Sequence, residues 1–191
     1  MKTILILEDN DERIAGFRQA VELLGAGFAL QIWRDAPSMI AECEAFFSSA
    51  ALISLDHDLN PMPGATVDPG TGLDVARFLG DFLSVCPVLI HSSNADRVWS
   101  MHNELRLAGW MVDRVGPLGT DWIESSWLRR ARELVVQHPN TWSVNLPADH
   151  AERVERMWLS LDGLSLGFWR VPRLQKLRLQ RQPGLWGTVL L

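Results

Sequence analysis

Along the first 137 residues, short unbroken apolar runs alternate with longer stretches whose apolar positions recur every three to four residues. Residues 3–7 form such a run, β-branched and aliphatic, and end at Glu8-Asp9-Asn10, which predicts a buried strand. Over residues 11–24, Ile14, Phe17, Val21 and Leu24 share one helical face, and Gly25 closes the helix. A second strand is predicted over 28–33 and a second helix over 37–47, with Pro37 tolerated in its first turn. Residues 51–55 make a third buried strand, ending at Asp56-His57-Asp58. A loop rich in Pro and Gly, 60–72, leads into a helix over 73–84. The fourth strand, 87–90, ends at His91-Ser92-Ser93-Asn94. A helix over 95–108, a short strand near 111–115, Gly116-Pro117 and a helix over about 121–137 complete the series.

Five strand–helix repeats predict an α/β fold, a five-stranded parallel sheet with helices on both faces. The expected strand order is 2-1-3-4-5, and in that arrangement ligands bind outside the carboxyl ends, at the switch point between strands 1 and 3. His138-Pro139-Asn140 marks a boundary. The chain is therefore divided into an α/β domain over 1–138 and an extension over 139–191, with one helix at about 148–160 and then a weakly patterned tail.

Composition narrows the setting. The chain is 47% hydrophobic and 21% charged, which suits a soluble domain with a core. Its apolar runs are strand-sized, so no helical membrane span is expected, and the N-terminal run is too short for a signal peptide. Cys43 and Cys86 suggest no disulfide framework, and a cytoplasmic location is expected. The segment after Asp162 has five basic residues and no acid, so residues 1–162 carry a formal −10 of the total −5. A basic tail on an acidic body is either an anion-binding extension or the remnant of a truncated or frame-shifted second domain.

The acids fall where the ligand site is expected. Glu8 and Asp9 end strand 1, and Asp56 and Asp58 end strand 3. If strand alternation persists, Asp56 and Asp58 point one way and His57 the other. Carboxylates brought so close repel unless a cation neutralises them, which points to a hard divalent ion, Mg or Mn, on Glu8, Asp9, Asp56 and Asp58. The competing reading is that Glu8 and Asp9 merely cap the first helix. His57 and His91 also lie at strand ends, where imidazole can move a proton near neutrality. His102, His138 and His150 are expected to be solvated.

The arrangement resembles the receiver domain of two-component response regulators. By that resemblance Glu8 and Asp9 match the acidic pair, Asp56 the phosphoacceptor, and Ser92 the hydroxyl that senses the phosphoryl group. Asp58 falls where a backbone carbonyl usually helps to hold the metal. Receivers place a Lys before Pro after strand 5; here the dipeptide is Gly116-Pro117, and the chain's two lysines are Lys2 and Lys176. Arg114 is near but is expected to point elsewhere.

A closer resemblance, over about residues 3–134, is to the cyclic-phosphate-processing receiver family. It is carried by Leu7-Glu8-Asp9-Asn10-Asp11-Glu12-Arg13, Leu55-Asp56-His57-Asp58-Leu59, His91-Ser92-Ser93-Asn94 with Met101, and Asp121-Trp122-Ile123-Glu124 with Trp127. Where the family often has Pro and Gly after the Asn, this chain has Ala95-Asp96-Arg97. The resemblance implies metal-dependent hydrolysis of cyclic phosphates on nucleotides or RNA ends. The metal would activate water, His57 or His91 would protonate the leaving oxygen, and Ser92 and Asn94 would donate hydrogen bonds to the phosphate. No membrane and no DNA sequence recognition is expected. The alternative is a signalling module, phosphorylated on Asp56 or acting by binding alone. Residues 151–167 weakly resemble the opening helix of ADP-ribosylglycohydrolases, although Phe168 stands where that family has Asp.

Overall fold

The computed structural model describes residues 1–61, 64 and 66–137. The helix expected at 148–160, the basic tail, the 151–167 resemblance, His138 and His150 lie outside the described residues. Five parallel strands, β1 (Lys2–Leu7), β2 (Phe28–Trp33), β3 (Ala50–Leu55), β4 (Val88–Ile90) and β5 (Val112–Arg114), are ordered β2-β1-β3-β4-β5. The helices are α1 (Asp11–Leu24), α2 (Ala36–Glu42), α3 (Gly72–Leu79), α4 (Ala95–Leu107) and α5 (Leu128–Gln137). This is the doubly covered sheet expected from the alternation.

β1 is apolar from Ile4 to Leu7 because both of its faces are covered there. Leu5 and Leu7 pack on one side with Met39, Val75 and Leu105, while Ile4 and Ile6 pack on the other with Phe17, Trp127 and Ala131. β3 divides in the same way, with Ile53 and Leu55 against the α2–α3–α4 layer and Leu52 against the α1–α5 layer. Cys43 and Cys86 are both free and buried. Among the described residues no helix is long and apolar enough to cross a membrane.

Three predicted helices differ in detail. The second is α only to Glu42 and tightens into a 3-10 turn over Cys43–Phe46, which brings Ser49 and Ala50 round to start β3. The third stops at Leu79 because Gly80 is a poor helix former and because Trp110 Nε1 donates to the carbonyls of Leu79 and Phe82, at 3.0 and 3.3 Å. The last begins with a π turn over Ile123–Trp127 before α5. The extra residue in that turn lets Trp122, Ile123 and Trp127 all reach the core.

Register sets the site. Leu7 pairs with Leu55, and Leu55 with Ile90, so the central strands end level. Their ladder runs one residue further, with Asp56 N–H donating to Leu7 O at 3.0 Å and His91 N–H to Leu55 O at 2.9 Å. Glu8, Asp56 and His91 therefore stand side by side, and alternation turns all three side chains toward the α1–α5 layer.

Candidate metal centre at the strand ends

Glu8, Asp9 and Asp56 come together. Each offers a carboxylate oxygen, and these oxygens lie within 4.8 Å of one another. Helix capping does not account for them, because Asn10 is the N-cap of α1 and accepts from Arg13 N–H at 3.0 Å. Asp9 is instead held by the loop after β3: Asn60 donates to its Oδ2 from both backbone and side chain, at 2.8 and 2.9 Å.

Glu8 is completely buried. Its Oε1 accepts from Asn10 N–H at 3.0 Å, whereas its Oε2 has no hydrogen-bond partner. Burial works against its charge, but the His91 ring, the Asn10 N–H and the Arg13 guanidinium outweigh it and hold the carboxyl below its usual range. Asp56 goes the opposite way. Burial pushes its pKa up and Glu8 adds to that, more than His91, the His57 N–H and Arg13 bring it down. An ionised Glu8 beside a reluctant Asp56, with one buried oxygen unmatched, is a donor set that fits a hard divalent cation.

His91 is fully buried behind this pocket. Its Nε2 lies 3.3 Å from Glu8 Oε2 but without the alignment of a hydrogen bond. Nδ1 meets Ser54 Oγ at 2.7 Å. Trp127 Nε1 can only donate, so Ser54 accepts there at 2.9 Å and has one proton left to share between Leu89 O and His91. Phe17 meets the imidazole edge-on with centroids 5.0 Å apart, and Trp122 stacks on it at 5.9 Å. Trp122 thus covers this histidine, and Trp127 holds the Ser54 and Phe17 that flank it.

His57 lies on the other side of the strand. Its backbone N–H donates to Asp56 Oδ1 at 2.6 Å, and its ring Nε2 lies 3.7 Å from Asp58 Oδ1. Burial, the largest influence, lowers its pKa below the ordinary histidine value, and Nδ1 has no partner.

Asp58 departs from expectation. The strand stops at Leu55, and Asp58 enters an isolated antiparallel bridge with Thr71, so alternation no longer directs its side chain. Its exposed carboxylate accepts from Asn94 Nδ2 at 3.1 Å and lies outside the Glu8–Asp9–Asp56 group. Asn94 is also the N-cap of α4, and its own N–H reaches Ser92 Oγ at 3.3 Å. Ser92 is buried at the end of β4. The expected site residues thus form two groups, the three acids backed by His91, and His57 with Asp58, Asn94 and Ser92.

Against known families, the model of the cyclic-phosphate processing receiver domain matches residues 4–107. The chain belongs to that family. Its fold is also that of solved receivers. The response regulator domain of Thermotoga maritima CheB is similar with a TM-score of 0.52 and 12% identity, over 73% of this chain and 99% of that one. A sensor protein from Polaromonas sp. JS666 is similar with a TM-score of 0.50 and 15% identity, over 72% of this chain and 98% of that one. At such identities the likeness establishes the fold. No curated protein matches the chain.

Within this receiver, sequence reasoning passed over several residues. Arg13 closes the Leu7–Arg13 motif, which assigns it no role, yet its Nη1 lies 3.0 Å from Asp56 Oδ2 and 3.5 Å from Glu8 Oε2. Ser54 gives no signal beyond being a hydroxyl in an apolar strand, and Asn60 reads only as the start of a loop. His102 is not simply solvated. It packs edge-on to Trp99, its Nδ1 is buried, and burial first, then Arg106, lowers its pKa. Arg114 does point elsewhere, over the Trp99 ring at 4.4 Å.

Proposed function

We propose that this receiver is a metal-dependent phosphoesterase that opens cyclic phosphates on nucleotides or RNA ends. The observation that carries the reading is the Glu8–Asp9–Asp56 group, in which Glu8 and Asp56 are buried and Glu8 Oε2 has no hydrogen-bond partner. Glu8, Asp9 and Asp56 would hold the ion, Mg or Mn. When bound it would neutralise the carboxylates and polarise a phosphoryl oxygen. The reaction adds water to phosphorus, breaks one phosphorus–oxygen bond of the ring and returns a proton to the departing oxygen.

The two histidines divide this work. His57, kept neutral by burial and bordering the exposed Asp58, is suited to take the proton from water and pass it to the leaving oxygen. His91, sealed behind Glu8, is suited to orient that carboxylate instead. Asn94 and Ser92, on the loop into α4, would direct hydrogen bonds to a non-bridging oxygen. A singly charged diester suits a site whose β5 end carries Gly116 where receivers have Lys.

The test is hydrolysis of 2′,3′-cyclic nucleotides and of RNA ending in a cyclic phosphate, with Mg²⁺ or Mn²⁺. Activity is expected in the wild type and a loss of at least about a hundredfold in Asp56→Asn. No turnover of either substrate sinks the reading. The second reading, phosphorylation on Asp56, is favoured by the placement of Asp56 and Ser92 at the ends of neighbouring strands. Treatment with a small phosphodonor followed by intact mass separates the two: an acid-labile adduct on Asp56 without turnover selects the signalling role.

A further inference from the structure

We infer that Arg13 is a cation the acidic pocket carries with it: it pairs with Asp56 when no divalent ion is bound and turns to the substrate's phosphate when one is. This rests on the metal-dependent reading above and adds to it the residue that binds the anion.

The position is the first clue. Arg13 is the third residue of α1, where the helix dipole favours acids such as the preceding Asp11 and Glu12 and disfavours a cation. Its place is explained by what its side chain reaches. Nη1 serves Asp56 and Glu8 together, at 3.0 and 3.5 Å, and the guanidinium carbon lies 5.7 Å above the Trp122 ring. One nitrogen shared between two carboxylates is a weaker arrangement than a two-nitrogen fork on one of them. The side chain is 31% exposed, so it borders solvent and has room to move. Trp122 offers a face along which the guanidinium can shift without losing all of its contact.

Charge gives the direction of the exchange. Three ionised carboxylates with one guanidinium leave a net −2, which a divalent ion cancels. The ion and Arg13 compete for Asp56 Oδ2. Once Arg13 is displaced from Asp56 Oδ2 it remains at the edge of the pocket, where its fork matches two oxygens of a phosphate. Among the described residues, Arg34 holds Asp9 O and Asp11 and Arg114 covers Trp99, while Arg97 lies on the His57 side, where its charge works against a protonated imidazole. A receiver whose β5 ends in Gly116-Pro117 would thus draw its anion-binding charge from the opposite side of the pocket, the start of α1.

The experiment titrates full-length wild type, Arg13→Gln and Arg13→Lys with Mn²⁺, following the free-ion EPR signal, with thermal melts to confirm folding. Inorganic phosphate is then titrated at saturating Mn²⁺ by calorimetry. Arg13→Gln is expected to bind Mn²⁺ about threefold to tenfold more tightly and phosphate at least about tenfold more weakly. Arg13→Lys, which keeps the charge but not the fork, is expected to fall between. Mn²⁺ bound equally well, or less well, by Arg13→Gln overturns the exchange, as does phosphate affinity that is unchanged or absent throughout. Arg13 is then a fixed ion-pair partner, and the phosphoesterase reading stands. Mn²⁺ bound by none of the three proteins overturns both.

Discussion

Gly72 opens α3 against the end of β3, and replacing it with alanine tests whether that contact holds the site. Its N–H donates to His57 O at 3.1 Å, beside the bridge between Asp58 and Thr71. A Cβ at this position would lie 2.0 Å from Asp56 O, 2.9 Å from Asp56 C and 2.8 Å from the Met101 methyl. Met101 can turn aside. The Asp56 carbonyl cannot, because it is backbone directly after β3 and the residue's own N–H is held by Leu7 O at 3.0 Å. Relief to a tolerable 3.0 Å requires β3 and α3 to part by about 1 Å. Overpacking against backbone belongs at the upper end of the observed range, about 3 kcal/mol. In a domain of this size that lowers the melting temperature by roughly 10 °C. Because the shift falls on the residue that carries the central carboxylate, Mn²⁺ affinity should drop about tenfold as well. Gly116→Ala is the control: its Cβ would meet Leu118 at 3.7 Å, an ordinary contact, and should stay within about 0.5 kcal/mol of wild type. Calorimetric melts and Mn²⁺ titration read both effects. A Gly72→Ala protein that melts with the wild type and binds Mn²⁺ equally well refutes the reasoning.

Two further outcomes follow from the buried polar groups. Ser54→Ala removes the oxygen that meets both His91 Nδ1 and Trp127 Nε1, leaving two buried ring nitrogens unmatched, and should cost about 2–4 kcal/mol in urea denaturation. A loss below about 1 kcal/mol would show that water replaces the hydroxyl. The depressed pKa of His57 means that the folded state prefers its neutral form. Its contribution is fully present above the unfolded value of 6.5 and is lost as the pH falls through the lower folded value. His57→Gln should therefore flatten the decline in stability that begins near pH 6.5, and an unchanged slope counts against a buried neutral imidazole.

The parts of the structure that were legible in the sequence are those where one local rule acts alone. Residues 4–7 of β1 and 50–53 of β3 are unbroken apolar runs because both faces of each strand are covered, so the strands, and hence their level ends, can be read directly. Glu8, Asp56 and His91 follow from that by counting. Asp58 does not. It lies three residues past the end of β3, where the bridge to Thr71 replaces alternation with turn geometry. The roof over His91 was equally hidden. Trp122 stacks on it from the N-cap of a π turn and Trp127, at the end of that turn, holds Ser54 beneath it, and a search for a 3.6-residue period cannot register a turn that contains one residue more.

Arg13 shows why site chemistry is harder to read than fold. Helical periodicity assigns a residue to a face, and by that measure Arg13 is one polar position among Asp11, Glu12 and Arg13 at the start of α1. What distinguishes it is reach along the helix axis rather than around it. Side chains in a helix lean toward its N-terminus, so a long one in the first turn overhangs whatever precedes the helix. Here that is the carboxyl end of β1, with the end of β3 beside it. A short connection from a central strand into a helix therefore makes the first-turn residues part of the strand-end site. In this chain Asn10 alone separates Asp9 from α1, and the cation three residues later meets Asp56 from a strand 43 positions away.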